Sequence, residues 1–453
     1  MSNSMMAHVG AGTLSCVALL FYPVRARGWQ PAAGAGTLSS REHFEEFIKN
    51  HSRSYRFGSD EYDLRLSLFE KRLATVEDHN RQQRGWHAVV NKLADRTDEE
   101  LARLRGYRPG DAAGTARGGH ARASLLSEST RSIDVAKLPR AVNWKPHLQA
   151  MQDVRDQGAC GSCWAFATST TLRAHAELFQ RDRTFSVQQL VSCTPNPRKC
   201  GGSGGCEGAT AELAMDYAIK VGMVPEEEIS YTDAVGSCPS SLQLSTPSEK
   251  RSLRSLIRDT VKGVTLAQVD KHVIAGGASF GMQGWRRLPE NKLEPLLLAL
   301  YEMGPVVTSV EADDHWNSYG GGIMHACKQD PIINHAVTLV GYGEEKGVKY
   351  WTIQNSWGPD WGEHGFTRLL RRDNNKESAY CGWDAKPEDG SGCQGGPPKV
   401  YVCGACGILY DNVVPEFTEA SGSWWARHRS AVMMQLNATH RSVEHRHPAS
   451  EFS

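Results

Sequence analysis

Gln157-Gly158-Ala159-Cys160-Gly161-Ser162-Cys163-Trp164 is the stretch from which the rest of the chain is read. A polar, glycine-punctuated loop runs into a cysteine, and the apolar run Trp164-Ala165-Phe166-Ala167 that follows is compatible with a helix. That context predicts Cys163 at a helix N-terminus. Free N–H groups and the positive end of the helix dipole there favour a thiolate over a thiol. Cys163 is therefore the candidate nucleophile.

Composition narrows the classes around this stretch. The chain has 453 residues, room for two to four units at roughly 100–200 residues each. Lys+Arg and Asp+Glu both total 51, so no global basic field draws nucleic acid or acidic lipid. Twelve unevenly spaced cysteines indicate an oxidising compartment. The competing reading, a structural zinc site, would call for paired Cys-x2-Cys units. Only Cys160/Cys163 and Cys403/Cys406 have that spacing, so neither metal nor cofactor is expected.

Outward from the cysteine, the chain divides by pattern. The short apolar run Val9–Tyr22 suits a signal-peptide core, which makes residues 1–28 a leader. Residues 41–104 read as amphipathic helices, with Phe44, Phe47, Ile48, Leu64, Leu68 and Val76 at helical spacing. Residues 105–137, rich in Gly, Ala, Arg and Ser, read as a linker that is cut on maturation. In 138–415, helices are predicted at Trp164–Gln180, Ser186–Val191 and Thr210–Lys220. Strands follow at Val306–Val310, Ala336–Val340, Tyr350–Gln354 and Phe366–Leu370. A helical part followed by a strand part predicts an α+β fold of two layers meeting at a cleft. Residues 239–275 interrupt that order and read as an insertion, a solvated loop by default. The tail, 416–453, holds Trp424-Trp425 and the sequon Asn437-Ala438-Thr439 and reads as flexible.

Amide hydrolysis by a thiol needs a base that also protonates the leaving amine, and donors for the oxyanion. Asn334-His335-Ala336-Val337 supplies a base candidate, His335. One histidine among 17 carries little weight alone. Its context is Gln354-Asn355-Ser356-Trp357-Gly358, which begins 19 residues later. With the cysteine stretch, and in the chain order Gln, Cys, His, Asn, these motifs resemble the papain family of cysteine proteases, cathepsin L-like. Leu138-Pro139 and Val142-Asn143-Trp144 resemble the start of the mature enzyme. Glu61, Arg65, Phe69, Val76 and Asn80, then Asn91, Leu93 and Asp95, resemble the two motifs of that family's inhibitory propeptide. Arg72, Val76, Val89 and Leu93 depart from the pattern.

The resemblance implies a papain-like two-domain fold behind a helical propeptide: a mainly helical left domain, a β-barrel-like right domain and the active site between them. It implies that Asn355 orients His335, that Trp357 shields their hydrogen bond, and that the Gln157 side chain joins the Cys163 N–H in an oxyanion hole. It implies substrate contacts at Gly208, Ala209, Thr210, Ser309, Asn334 and Ala336, with Ala211 beside them and Lys386 at the pocket floor. Ala209 departs from the family's glycine. It implies disulfides Cys160–Cys206, Cys193–Cys238 and Cys327–Cys381, leaving Cys200, Cys393, Cys403 and Cys406 for further bridges and Cys163 free. The expected function is a zymogen of a cysteine endopeptidase, monomeric, acting on proteins and peptides. Its propeptide is the intramolecular inhibitor, cystatin-like proteins are external inhibitors, and no stable membrane insertion follows processing. The expected place is the secretory pathway, a lysosome- or vacuole-like acidic compartment, or outside the cell. The rival readings are an exopeptidase, with the 239–275 insertion blocking the cleft, and a catalytically silent inhibitor or binding protein.

Overall fold

The computed structural model describes residues 39–82, 84–106, 138–243 and 276–428. The leader, nearly all of the linker, 244–275 of the insertion and the sequon lie outside them.

The N-terminal module is a pair of helices and a short third one. Helix α1 (Ser40–Asn50) starts at a capping box in which the Ser39 and Glu42 side chains each take the other's backbone N–H. Helix α2 (Asp60–Arg81) buries Tyr62, Arg65, Phe69, Leu73 and Val76. Phe44 and Phe69 meet with ring centroids 5.3 Å apart. Leu64, expected on the apolar face, is exposed; the buried stripe follows the motif positions instead. Arg65 belongs to it because its charge is met: Nη2 donates to Glu100 Oε1 at 2.9 Å and to Glu61 Oε1 at 3.2 Å. Glu100 lies on α3 (Asp98–Leu104), so this cluster ties α3 to α2. Between them, β1 (Trp86–Ala88) carries the chain to the catalytic unit.

Helix α4 (Cys163–Phe179) is the axis of the left half, where α5 (Val187–Cys193) and α6 (Ala211–Val221) pack on it. Fifteen of its 17 residues are buried, as an almost wholly apolar or small-residue surface requires. The right half contains β3 (Met282–Arg287), α7 (Leu293–Glu302), β4 (Val306–Val310), β5 (Tyr319–Met324), β6 (His335–Glu345), β7 (Val348–Gln354), β8 (Phe366–Leu370), β9 (Cys381–Asp384), β10 (Val400–Cys403) and β11 (Asn412–Phe417). Among the described residues one sheet runs β1-β5-β8-β7-β6-β4-β11-β3, with β2 (Val142–Asn143) also on β6. It does not close into the barrel-like form expected. At one edge β5 takes β1 of the N-terminal module, Trp86 opposite Gly322, and at the other β3 lies against α6.

Two further expectations change. The Cys327–Cys381 bridge is replaced by Cys327–Cys406 and Cys381–Cys403. The physical reason is strand register: Cys381 and Cys403 face each other on paired β9 and β10, so each has its partner across the hairpin. Cys327 is left to Cys406, which lies beyond the hairpin, three residues after Cys403. Cys200 joins Cys393, while Cys160–Cys206 and Cys193–Cys238 tie loops of the left half. The unit also runs on past Phe417, because the described part of the tail, to His428, is docked. Ala420 N donates to Phe179 O at 2.8 Å, and Trp425, 2% exposed, lies 5.8 Å from Trp144 and 5.9 Å from Phe179.

Trp425→Ala is expected to cost about 3–5 kcal/mol, as large aromatic deletions in cores do. A denaturant midpoint unchanged from that of the parent chain would show that the tail only rests on the surface.

Candidate active site

Cys163 is the first residue of α4, preceded by Ser162, whose hydroxyl lies 2.7 Å from the Tyr231 hydroxyl. It is the free cysteine among the described residues and is 4% exposed. His335 opens β6, and Gln354 closes β7 opposite Thr338 of β6. That antiparallel register brings the next residue, Asn355, beside the histidine. His335 Nε2 donates to Asn355 Oδ1 at 2.8 Å, and Asn355 Oδ1 also accepts from Ser356 N at 2.9 Å. A neutral amide fixes the ring without adding negative charge. Trp357 covers the pair, its ring 5.0 Å from the imidazole. Trp316 meets the imidazole edge-on at 6.3 Å and stacks on Trp361 at 6.1 Å. These two tryptophans were not singled out in the sequence. The pairing Trp357-Gly358 and Trp361-Gly362, four residues apart, is the only signal it holds for Trp361.

The N-terminal module lies over this site. Gln157 is fully buried, and its Nε2 donates to Leu104 O at 2.7 Å and to Cys160 O at 2.9 Å. Its Oε1 accepts from Ser356 Oγ at 2.6 Å. The side-chain donor expected to meet an oxyanion is thus engaged by a carbonyl of α3. Gly106 passes so close to Gly208 that a Cβ added at Gly208 would lie 2.4 Å from Gly106 O. Gly208 is at φ +87°, so glycine is required there on both counts.

Coverage sets the charges. Burial raises the Cys163 thiol to about 11, although the backbone N–H of Ala336 on β6 and those of the helix start oppose it. Burial lowers His335 to about 4; the Asn355 hydrogen bond opposes this and the Arg105 guanidinium adds to it. Both shifts disfavour the ion pair, so in this form the thiol and the imidazole are neutral at pH 7.

One pocket is shared by Cys163, His335, Gly208, Ala209, Thr210, Ala211, Ser309, Asn334 and Ala336, with Arg105 and Gly106 along it. Trp357 stands apart from this lining, on the imidazole. Lys386 does not line the pocket; Asp389 and Gly390 do. The chain departs from the family there because residues 381–403 form a hairpin closed by its own disulfide. Ser309 is held from behind, its Oγ donating to Asp411 Oδ2 at 2.7 Å, and Arg287 Nε donates to Asp411 Oδ1 at 3.0 Å. Glu212, behind Ala211, has its carboxyl pushed up by burial and by Asp411, against the pull of Arg287. No group of His, Cys, Asp and Glu able to hold a metal occurs among the described residues.

The family model for papain family cysteine proteases matches residues 138–388, and the model for the cathepsin propeptide inhibitor domain matches 44–101. A cathepsin L-like proteinase of Phaedon cochleariae is 28% identical over 340 residues, 74% of this chain and 89% of that protein. A pro-cathepsin H of Medicago truncatula is 30% identical over 344 residues, 75% of this chain and 84% of that protein. Digestive procathepsin L2 proteinase from Tenebrio molitor larval midgut superposes with a TM-score of 0.55 at 26% identity, over 84% of this chain and 100% of that one.

A thiol held neutral by its cover labels slowly. At pH 6.5 a thiol-directed epoxide is expected to modify Cys163 of the intact chain at least about 100-fold more slowly than after residues 1–137 are cut away. Equal rates in the two forms would show that the cover does not control the thiol.

Proposed function

This chain belongs to the papain family of cysteine proteases and is a zymogen, with a cathepsin propeptide inhibitor domain ahead of its catalytic unit; on that premise we propose that it is an endopeptidase in which Cys163, His335, Asn355 and Gln157 carry the reaction. Once the propeptide has left, water reaches the thiol and the imidazole, and the proton passes from Sγ to the ring. The Cys163 thiolate attacks the carbonyl carbon of the peptide bond. The oxyanion takes N–H bonds from the Gln157 side chain and the Cys163 backbone. The imidazolium of His335 gives its proton to the leaving amine as the C–N bond breaks, leaving a thioester. Water, deprotonated by His335, attacks that thioester, releasing the acid and restoring the thiol. The observation that carries this reading is the 2.8 Å bond from His335 Nε2 to Asn355 Oδ1, in a pocket shared with the one free cysteine among the described residues.

Acidification is the signal that loosens the propeptide, and Asp95 is one of the carboxylates that hold it together. Asp95 is wholly buried and accepts from Arg53 Nε at 2.8 Å, Arg53 Nη2 at 3.0 Å and Tyr55 Oη at 2.8 Å. Removing the Asp95 charge would leave Arg53 without a counter-charge, and breaking such a pair costs about 3–5 kcal/mol. Glu100 is not the trigger. Burial works against its charge, but hydrogen bonds from Arg65 and the Thr97 N–H hold it down at about 2. Its depressed value contributes stability that is full above about 4.5 and lost only as pH falls through about 2. The Lys92–Asp156 pair and the Asn91 Nδ2 bond to Asn317 O, 2.7 Å, tie the propeptide to the catalytic unit. Five disulfides among the described residues favour the secretory route, and acid-triggered release favours an acidic vesicle or an acidified exterior.

Purified zymogen brought to about pH 4.5 with reductant is expected to lose roughly its first 138 residues and to cleave blocked Phe-Arg or Leu-Arg peptides, whereas Cys163→Ala does neither. Asp95→Asn, which removes the charge at every pH, is expected to move the midpoint of self-cleavage to higher pH. An unchanged midpoint would remove Asp95 from the trigger.

A further inference from the structure

The hairpin Cys381–Cys403 is a strap across the cleft. Its base is the β9–β10 pair, closed by Cys381–Cys403. Its tip is fixed to both walls. On the right, Gly390 lies against Ile333 and Asn334, so close that an added Cβ would be 2.1 Å from Ile333 O. On the left, Gly201 N donates to Gly392 O at 2.8 Å, Gln394 N donates to Arg198 O at 2.9 Å, and Cys393 is bonded to Cys200. The strap therefore ties the loop before Cys206 to the segment before His335, and its turn Pro387–Asp389 delivers Asp389 to the pocket that holds Cys163, His335, Thr210, Ser309 and Ala336.

We propose that this strap is a specificity element in which the Asp389 carboxylate receives a positively charged group of the substrate. The proposal rests on reading that pocket as the site for the substrate residue before the cut-site residue. A half-buried carboxylate in a peptide-binding pocket gains most from a cation. No described residue donates a hydrogen bond to it. Burial, with Asp384 and Glu388 nearby, raises its carboxyl to about 6, and Lys386 opposes them only in part. A guanidinium or ammonium would meet the charge directly with a short, charge-assisted hydrogen bond. That chemistry has two sources, an Arg or Lys side chain at the residue before the cut-site residue, or the free α-ammonium of a short substrate whose chain ends at the strap. Besides Asp389, the charged and titratable groups of the pocket are His335, Cys163 and, until the propeptide leaves, Arg105; Arg105 donates to Ala312 O at 3.0 Å and faces Asp313 and Asp314 rather than the strap. Below about pH 6 Asp389 takes up a proton and its preference for a cation fades.

The test uses the full chain, processed to the mature enzyme, with active sites counted by epoxide labelling so that misfolded variants do not enter the rates. The readout is the ratio of kcat/KM for a cationic substrate to that for its neutral counterpart. Blocked peptides with Arg or with norleucine before the cut-site residue form one pair. An unblocked dipeptide amide and its acetylated form are the second. At pH 6.5 the ratio is expected to fall about 10- to 100-fold in Asp389→Asn and to be largely restored in Asp389→Glu. In the parent enzyme it is expected to fall between pH 6.5 and 4.5, and in Asp389→Asn to stay level. A loss confined to the blocked pair assigns the cation to a side chain, and one confined to the unblocked pair assigns it to the α-ammonium. A ratio within twofold of the parent in Asp389→Asn, or an equal loss on charged and neutral substrates, would overturn the proposal. No turnover of any substrate by the parent enzyme would instead be a failure of the peptidase reading.

Discussion

Cys163 and His335 meet because the N-terminal turns of α4 pack against the first residues of β6, where Thr338 Oγ1 reaches Ala167 O at 3.4 Å. The helix start supplies N–H groups for a negative charge, and the strand start supplies a ring for the matching proton. β7 then returns antiparallel to β6 and places Asn355 on the imidazole, while Trp357 keeps water from the bond between them. The propeptide, the disulfides and the strap all act on that helix–strand junction, by covering it or by framing its cleft.

Latency is a matter of dielectric as much as of obstruction. Leu104, Arg105 and Gly106 displace solvent from a thiol and an imidazole that need water to carry opposite charges. Burial pushes the two groups away from the ion pair in opposite directions, and Arg105 brings a like charge to the imidazole. The same carbonyl that covers the site occupies the Gln157 donor. The cover is itself held by buried charge pairs, Arg53 with Asp95 and Arg65 with Glu100. Glu100 stays ionised down to about pH 2, so its pair with Arg65 holds through mild acidification.

The motif residues were legible because thiol chemistry limits what can stand at each place. A nucleophile at a helix start, a histidine opening an apolar strand and an amide closing the next strand survive as local patterns. The helical propeptide was legible for a related reason, although Leu64 shows that simple periodicity misplaced one side of its stripe. Burial of Arg65 depends on Glu100, 35 residues away, and no local pattern contains that pair. The partner of Cys327 is Cys406 and not Cys381 because Cys381 is taken by Cys403 across the β9–β10 hairpin, and only strand register shows that. The docked Trp425 and the Asp389 pocket wall were missed for the same reason: each depends on where a distant segment comes to rest.

The sequence by itself determined the chemistry: a cysteine at a helix start, a histidine with its amide partner, and a helical segment able to precede and cover them. Those follow from residue types and short spacings, which physical chemistry restricts locally. Tertiary structure alone decided the charge state of the pair, the cysteine partners and the charge on the pocket wall. Burial, cross-strand register and the reach of a strap between two walls are properties of segments far apart in the chain, and they exist only once those segments are packed together.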